Sequence, residues 1–187
     1  MHVATPAKLW TVEEVQALPD DGNRYEVVDG ELFVTPPPSW RHGTASKLLF
    51  VRLHLYAAEH GVADVHHAPA DVPYGPRTAV QPDLFAVPLV DGRRPRTWEE
   101  AGRLLLAVEV LSPSSARADR TVKRRLYQRE GVPEYWVVDV DARLVERWRP
   151  DDQRPELLTE TIEWRPDPAR PPLVIDLAAY FAEVVGD

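Results

Sequence analysis

Between Arg103 and Leu111 the chain enters its most hydrophobic stretch, and one carboxylate interrupts it. Leu104, Leu105, Leu106, Ala107, Val108, Val110 and Leu111 read as a central strand buried on both faces, with Glu109 among them. A carboxylate in such a place costs roughly several kcal/mol if it stays charged without compensation, or else it takes up a proton. Glu109 therefore needs a bound cation or a fixed basic partner. The plain alternative is a structural ion pair with an arginine.

The rest of the chain surrounds that strand with alternating elements. Thr11 and Glu14 form a capping box opening a short helix that ends near Pro19. Arg24 to Val28 and Glu31 to Thr35 flank Asp29-Gly30, a strong hairpin signal, and Pro36 to Pro38 stop the pairing. Ser39 caps a long helix from about Trp40 to His60, with Gly61 at its C-terminal end. Its Leu48, Leu49, Leu53 and Tyr56 recur at helical spacing.

Val62 to His66, Ala70 to Tyr74 and Asp83 to Val87 read as short strands. Pro88 to Gly102 is a polar connection with a helical turn at Trp98-Glu99-Glu100. Ser114 or Ser115 caps a helix that Gly131 ends. Glu134 to Val140 and Leu144 to Arg149 pair across Asp141-Ala142. Residues 150–172 are charged and proline-bearing and are expected to be peripheral, and Asp176 caps a terminal helix through Val184. Strands broken by helices around one apolar strand predict an α/β fold, a mixed sheet with helices packed on it, in one domain over residues 1–187.

Composition narrows the function classes. There is no cysteine, which excludes disulfides, thiolate metal sites and cysteine nucleophiles. No apolar run is long enough to cross a bilayer, and the Met1 region lacks a signal pattern, so a cytoplasmic protein without membrane partners is expected. The net charge of −8 means that any nucleic-acid contact must use a local basic patch, which the arginines at 117, 120, 124, 125 and 129 supply.

Asp83 supplies the match to Glu109. It opens a strand directly after Gln81-Pro82, where proline costs no ladder hydrogen bond. Two carboxylates on adjacent strands, with a backbone carbonyl between them, make an oxygen-only site suited to Mg²⁺ or Mn²⁺. Asp83 and Glu109 are the expected metal ligands. On a helical wheel Lys123 borders an apolar stripe of Ala118, Val122 and Leu126 and leans inward over Glu109, while Arg117, Arg120 and Arg124 face the open side. The competing reading pairs Lys123 with Asp119 on a solvated face, worth about 0.3–0.5 kcal/mol. His42, near the start of the long helix, is a candidate for contacting phosphate or assisting as a base. Tyr127 reads as a packing residue.

Five motifs in order carry a family likeness: Tyr25-Glu26-Val27-Val28-Asp29-Gly30-Glu31, Val80-Gln81-Pro82-Asp83, Val108-Glu109-Val110-Leu111-Ser112-Pro113-Ser114, Asp119-Arg120-Thr121-Val122-Lys123, and Gly131-Val132-Pro133-Glu134-Tyr135-Trp136-Val137-Val138-Asp139. From about Leu9 to Arg149 the chain resembles the Uma-two family, restriction-endonuclease-like proteins of the PD-(D/E)xK nuclease superfamily. The resemblance implies a restriction-endonuclease-like central mixed sheet flanked by helices, with an N-terminal β-hairpin. It also implies Mg²⁺-dependent hydrolysis of DNA phosphodiester bonds.

Carried over by motif, Asp83 and Glu109 hold metal, Lys123 positions or activates water, and Glu26 matches an acidic residue the superfamily places near the metal. Arg120 and Arg124, with His42, are the expected substrate contacts. The sequence departs from the superfamily pattern at Leu111, where the lysine two residues after the glutamate would stand; Lys123 on the following helix takes its place. Cutting two strands calls for two sites, hence an expected homodimer. The rival reading is a nuclease-fold binding or assembly module without turnover, which the acidic charge and displaced lysine favour.

Overall fold

The structure is a computed structural model and describes residues 8–187. In chain order the elements are α1 (Val12–Gln16), β1 (Arg24–Val28), β2 (Glu31–Thr35), α2 (Trp40–His60), β3 (Asp64–His67), β4 (Val72–Gly75), β5 (Thr78–Val80), β6 (Leu84–Val87), α3 (Trp98–Ala101) and β7 (Leu106–Val110). Then follow α4 (Ala116–Ala118), a π-helical segment (Asp119–Lys123), α5 (Arg124–Arg129), β8 (Glu134–Asp139), β9 (Leu144–Trp148), β10 (Glu156–Leu158), β11 (Thr161–Trp164), β12 (Leu173–Asp176) and α6 (Leu177–Val185). These fall into two compact units: residues 8–37 with Asp71–Gln81, and Pro38–Ala70 with Pro82–Asp187.

The smaller unit is a four-stranded antiparallel sheet in the order β2-β1-β5-β4 with α1. Its hairpin turns on Asp29 (φ 51°) and Gly30 (φ 86°), the positive-φ pair that a two-residue turn matching strand twist demands. The capping box at Thr11 and Glu14 forms as the sequence predicts, each side chain accepting the other residue's amide. Val15, Val27 and Ala79 make a small core.

In the larger unit six strands run in the order β10-β9-β8-β7-β6-β3. All neighbours are antiparallel except β7 and β8, which pair in parallel and so need a crossover, supplied by the chain from α4 to α5. One face buries Val108, Val110, Trp136 and Val138 against Leu49, Leu53 and Tyr56 of α2 and Tyr180 and Phe181 of α6. On the other face Tyr135 packs against Tyr127 of α5 with the rings tilted, centroids 4.7 Å apart. Helices thus cover a mixed sheet on both sides.

Residues 150–172, expected to be peripheral, contribute two strands and two core side chains. Ile162 and Trp164 are buried because β11 alternates outward Thr161 and Glu163 with these inward residues, and β11 pairs with β12 in a separate two-stranded sheet. The Tyr56 hydroxyl fixes the end of this stretch by donating to the Pro171 carbonyl at 2.6 Å.

Candidate functional site

Strand alternation decides where Glu109 points. Leu106, Val108 and Val110 enter the core beneath α2, so Ala107 and Glu109 face the crossover helices. Glu109 is 1% exposed. Its Oε1 lies 3.0 Å from Lys123 Nζ and accepts the Tyr127 hydroxyl at 3.3 Å. The cation that the sequence required is Lys123, not an arginine.

Lys123 reaches Glu109 because the helix before it is not a regular α-helix. The Arg124 amide donates to Asp119 O five residues back, which widens the turn over Asp119–Lys123. The buried stripe becomes Ser115, Asp119, Lys123 and Tyr127, joined by Leu126, while Ala118 and Val122 are only half-buried. Lys123 leans toward Glu109 as the helical wheel placed it, but the Ala118 and Val122 stripe that the wheel drew is not the buried face. Asp119 Oδ1 stands 3.5 Å from Lys123 Nζ, and the Tyr135 hydroxyl donates to the Asp119 carbonyl at 3.1 Å. The i, i+4 pairing expected on a solvated face exists, but both partners are buried. Asp119 and Tyr127 are thus site residues that the sequence reading had set aside. Their signal is a polar residue at every fourth position from Ser115 to Tyr127.

Asp83 stands one residue before β6, whose Leu84 pairs with Val108, and the register brings it toward Glu109. Its Oδ2 accepts the Val110 amide at 2.8 Å and lies 3.0 Å from His42 Nε2. His42 occupies the first turn of α2, where the Ser39 side chain caps its amide. The imidazole, a candidate for contacting phosphate or assisting as a base, lies against the Asp83 carboxylate. Four of the expected residues thus form two pairs in the larger unit, Asp83 with His42 and Glu109 with Lys123. Glu26 belongs to the smaller one, where its buried carboxylate accepts the Gln81 amide at 2.7 Å.

The donor set is hard oxygen. Among the described residues no group of three or more histidine, aspartate or glutamate side chains is placed to hold a metal ion. Asp83 and Glu109 are both buried carboxylates, the oxygen donors that a hard divalent cation takes.

Arg120 and Arg124 are corrected in position. Both were expected on an open face, but Arg120 bridges Glu146 (2.6 Å) and Asp139 (2.9 Å), while Arg124 holds Gln128 (2.7 Å) and lies over the Trp148 ring. Charge pairing inside the fold competed successfully with solvent. Burial by itself would raise the Asp139 carboxyl, but the Ala142 amide and Arg120 outweigh it and hold it below the ordinary value of 3.8. A carboxyl lowered in the folded state stabilises above its unfolded value and loses that contribution as pH falls through the folded one. Asp139→Asn should accordingly be less stable than wild type at neutral pH, with the gap closing in strong acid. Urea unfolding at the two pH values measures it, and a pH-independent gap would contradict the assignment.

A mixed sheet covered by helices on both faces is also the architecture of a protein from Anabaena variabilis ATCC 29413 described as "a putative nuclease belonging to DUF820". Its crystal structure aligns with a TM-score of 0.74 at 18% identity, over 94% of this chain and 99% of that one, which establishes a shared fold. The chain belongs to the Uma2 family, described as "Putative restriction endonuclease", whose sequence profile matches residues 12–179. The resemblance carried by the five motifs is thereby met and extends past Arg149 to the terminal helix. No curated protein matches the chain. No helix among the described residues is long and apolar enough to cross a membrane.

Proposed function

We propose that this chain is a metal-dependent endodeoxyribonuclease that hydrolyses DNA phosphodiester bonds with Mg²⁺ or Mn²⁺, acting in the cytoplasm as a homodimer. The observation that carries the reading is the buried Glu109–Lys123 pair beside Asp83, in a chain of a restriction-endonuclease-like family. Asp83 and Glu109 would hold the metal, with a backbone carbonyl of β7 completing the protein's share. When bound, Mg²⁺ supplies polarisation of a phosphate oxygen and lowers the pKa of a coordinated water.

The chain's own residues do the rest. His42 and the Val110 amide fix one oxygen of Asp83, and Tyr127 fixes one oxygen of Glu109. Such supports orient ligands and keep them from rotating away. Lys123 has an ammonium at Glu109 from which to orient the attacking water and to offset negative charge developing on the phosphate. Asp119, 3.5 Å from the same ammonium, adds a second negative charge beside the lysine.

A second reading, a binding or assembly module without turnover, is favoured by one observation: the Lys123 ammonium already neutralises Glu109. Supercoiled plasmid incubated with Mg²⁺ or Mn²⁺ separates the two. The nuclease reading expects nicked or linear product from wild type, none with EDTA and none from Asp83→Ala. Intact plasmid in every lane would leave the module.

A further inference from the structure

The first turns of α2 carry features that the chemistry proposed above does not use. Trp40 is 95% exposed, and its indole makes no hydrogen bond or ring contact with any described residue. Leaving so large an apolar surface in water forgoes much of what its burial would contribute. Gly43 stands three residues further on, inside the helix, where only proline is less favourable than glycine. Yet a Cβ built there would meet nothing within 4 Å, so no neighbour in the fold requires its absence. A glycine so placed suits close approach by something outside the chain.

Two depressions meet over Gly43. One, of about 360 Å³, is walled by Trp40 and Thr44; the other, of about 320 Å³, runs down to His42, Phe50 and Asp83. Lys47 lines both, exposed and with no ion-pair partner among the described residues. His42 is only 8% exposed, and its Nδ1 has no hydrogen-bond partner among the described residues. A buried polar atom left in this way points to a group that the chain itself does not provide.

Together these give an aromatic ledge, an unobstructed stretch of backbone, a cation and a cavity that ends at Asp83. A nucleobase offers a π face for the ledge, and its phosphate suits the cation. In a duplex those faces are covered by neighbouring pairs, so only a base taken out of the stack can use them. We propose that Trp40, Gly43 and Lys47 bind an unpaired nucleotide beside the phosphate processed at Asp83. The preferred substrate is then single-stranded or frayed nucleic acid rather than uninterrupted duplex. The proposal rests on the nucleic-acid reading given above. A second copy of the chain is the competing occupant, because exposed Val51 and Leu55 continue the apolar line along α2.

The test is fluorescence anisotropy of the full chain with labelled oligothymidylate and with a blunt duplex of equal length, Ca²⁺ replacing Mg²⁺ to suppress cutting. Oligothymidylate should bind more tightly than duplex, and Trp40→Ala should weaken it roughly tenfold, the scale of one base–aromatic stack. Gly43→Leu fills open space and removes an unfavourable helix residue, so it should lose comparable affinity while melting no lower than wild type. Equal oligothymidylate affinity for Trp40→Ala and wild type overturns the proposal, as does duplex bound as tightly as single strand. So does a Trp40→Ala chain that changes from dimer to monomer with its oligothymidylate affinity intact. Wild type that binds neither nucleic acid sinks the nucleic-acid reading itself, which distinguishes the two failures.

Discussion

Lys123→Met should cost about 3–5 kcal/mol of stability, the loss expected when one member of a buried ion pair is removed. The reason lies in what remains. Glu109 and Asp119 are each 1% exposed and share the Lys123 ammonium, at 3.0 Å and 3.5 Å respectively. Methionine matches the length of the lysine stem but leaves both carboxylates without that cation. For a domain of this size the loss corresponds to a fall in melting temperature on the order of 10 °C. Combining the change with Glu109→Gln should recover part of it, and a coupling of at least about 1 kcal/mol from the double-mutant cycle would mark the pair as interacting. A loss under about 1 kcal/mol would instead describe an exposed pair and contradict the burial.

The other large effect concerns metal. Glu109→Gln keeps the side-chain shape, and Asp119 still faces Lys123, so the fold should persist. Mg²⁺ binding should nevertheless fall below detection by titration calorimetry, with plasmid cleavage lost. Removal of an outer partner costs roughly 10–100-fold in metal affinity, and removal of a direct ligand costs more. His42→Ala provides the graded comparison, because it frees Asp83 to rotate without removing it. Its affinity should drop within that roughly 10–100-fold range. Unchanged Mg²⁺ heats for Glu109→Gln would remove Glu109 from the ligand set.

Much of this was legible before any coordinates. Glu109 announced itself by interrupting an apolar strand, and α2 was bounded by Ser39 and by Gly61, whose φ of 62° ends the helix as a left-handed cap. The Asp29-Gly30 hairpin followed from turn chemistry alone. What escaped the sequence did so for identifiable reasons. β5, only Thr78–Val80, is too short to show a period. In β11 the alternation of Thr161, Ile162, Glu163 and Trp164 is present, but the charges and Pro166, Pro168, Pro171 and Pro172 nearby made the region read as peripheral. The π-helical segment lies outside any wheel drawn at a fixed 3.6 residues per turn, and Asp119, expected on a solvated face, is buried there. Lys123 leans toward Glu109 as the wheel indicated, and charge pairing drew Arg120 inward. His42 was noticed, but nothing in one sequence indicates that a helix start and a strand entrance will meet.

The widened turn over Asp119–Lys123 has a bearing on how this chain tolerates change. In a helix each residue removed rotates everything beyond it by about 100°. The extra residue held in the π turn is what aligns Lys123 with Glu109 while Tyr135 clasps the Asp119 carbonyl. The lysine's aim is therefore written in residue count as much as in residue identity. Conservative substitutions within the segment leave that count intact. A one-residue deletion that relaxed it to an ordinary α-helix would swing the ammonium away from the strand, even in a molecule whose sheet and outer core had not changed.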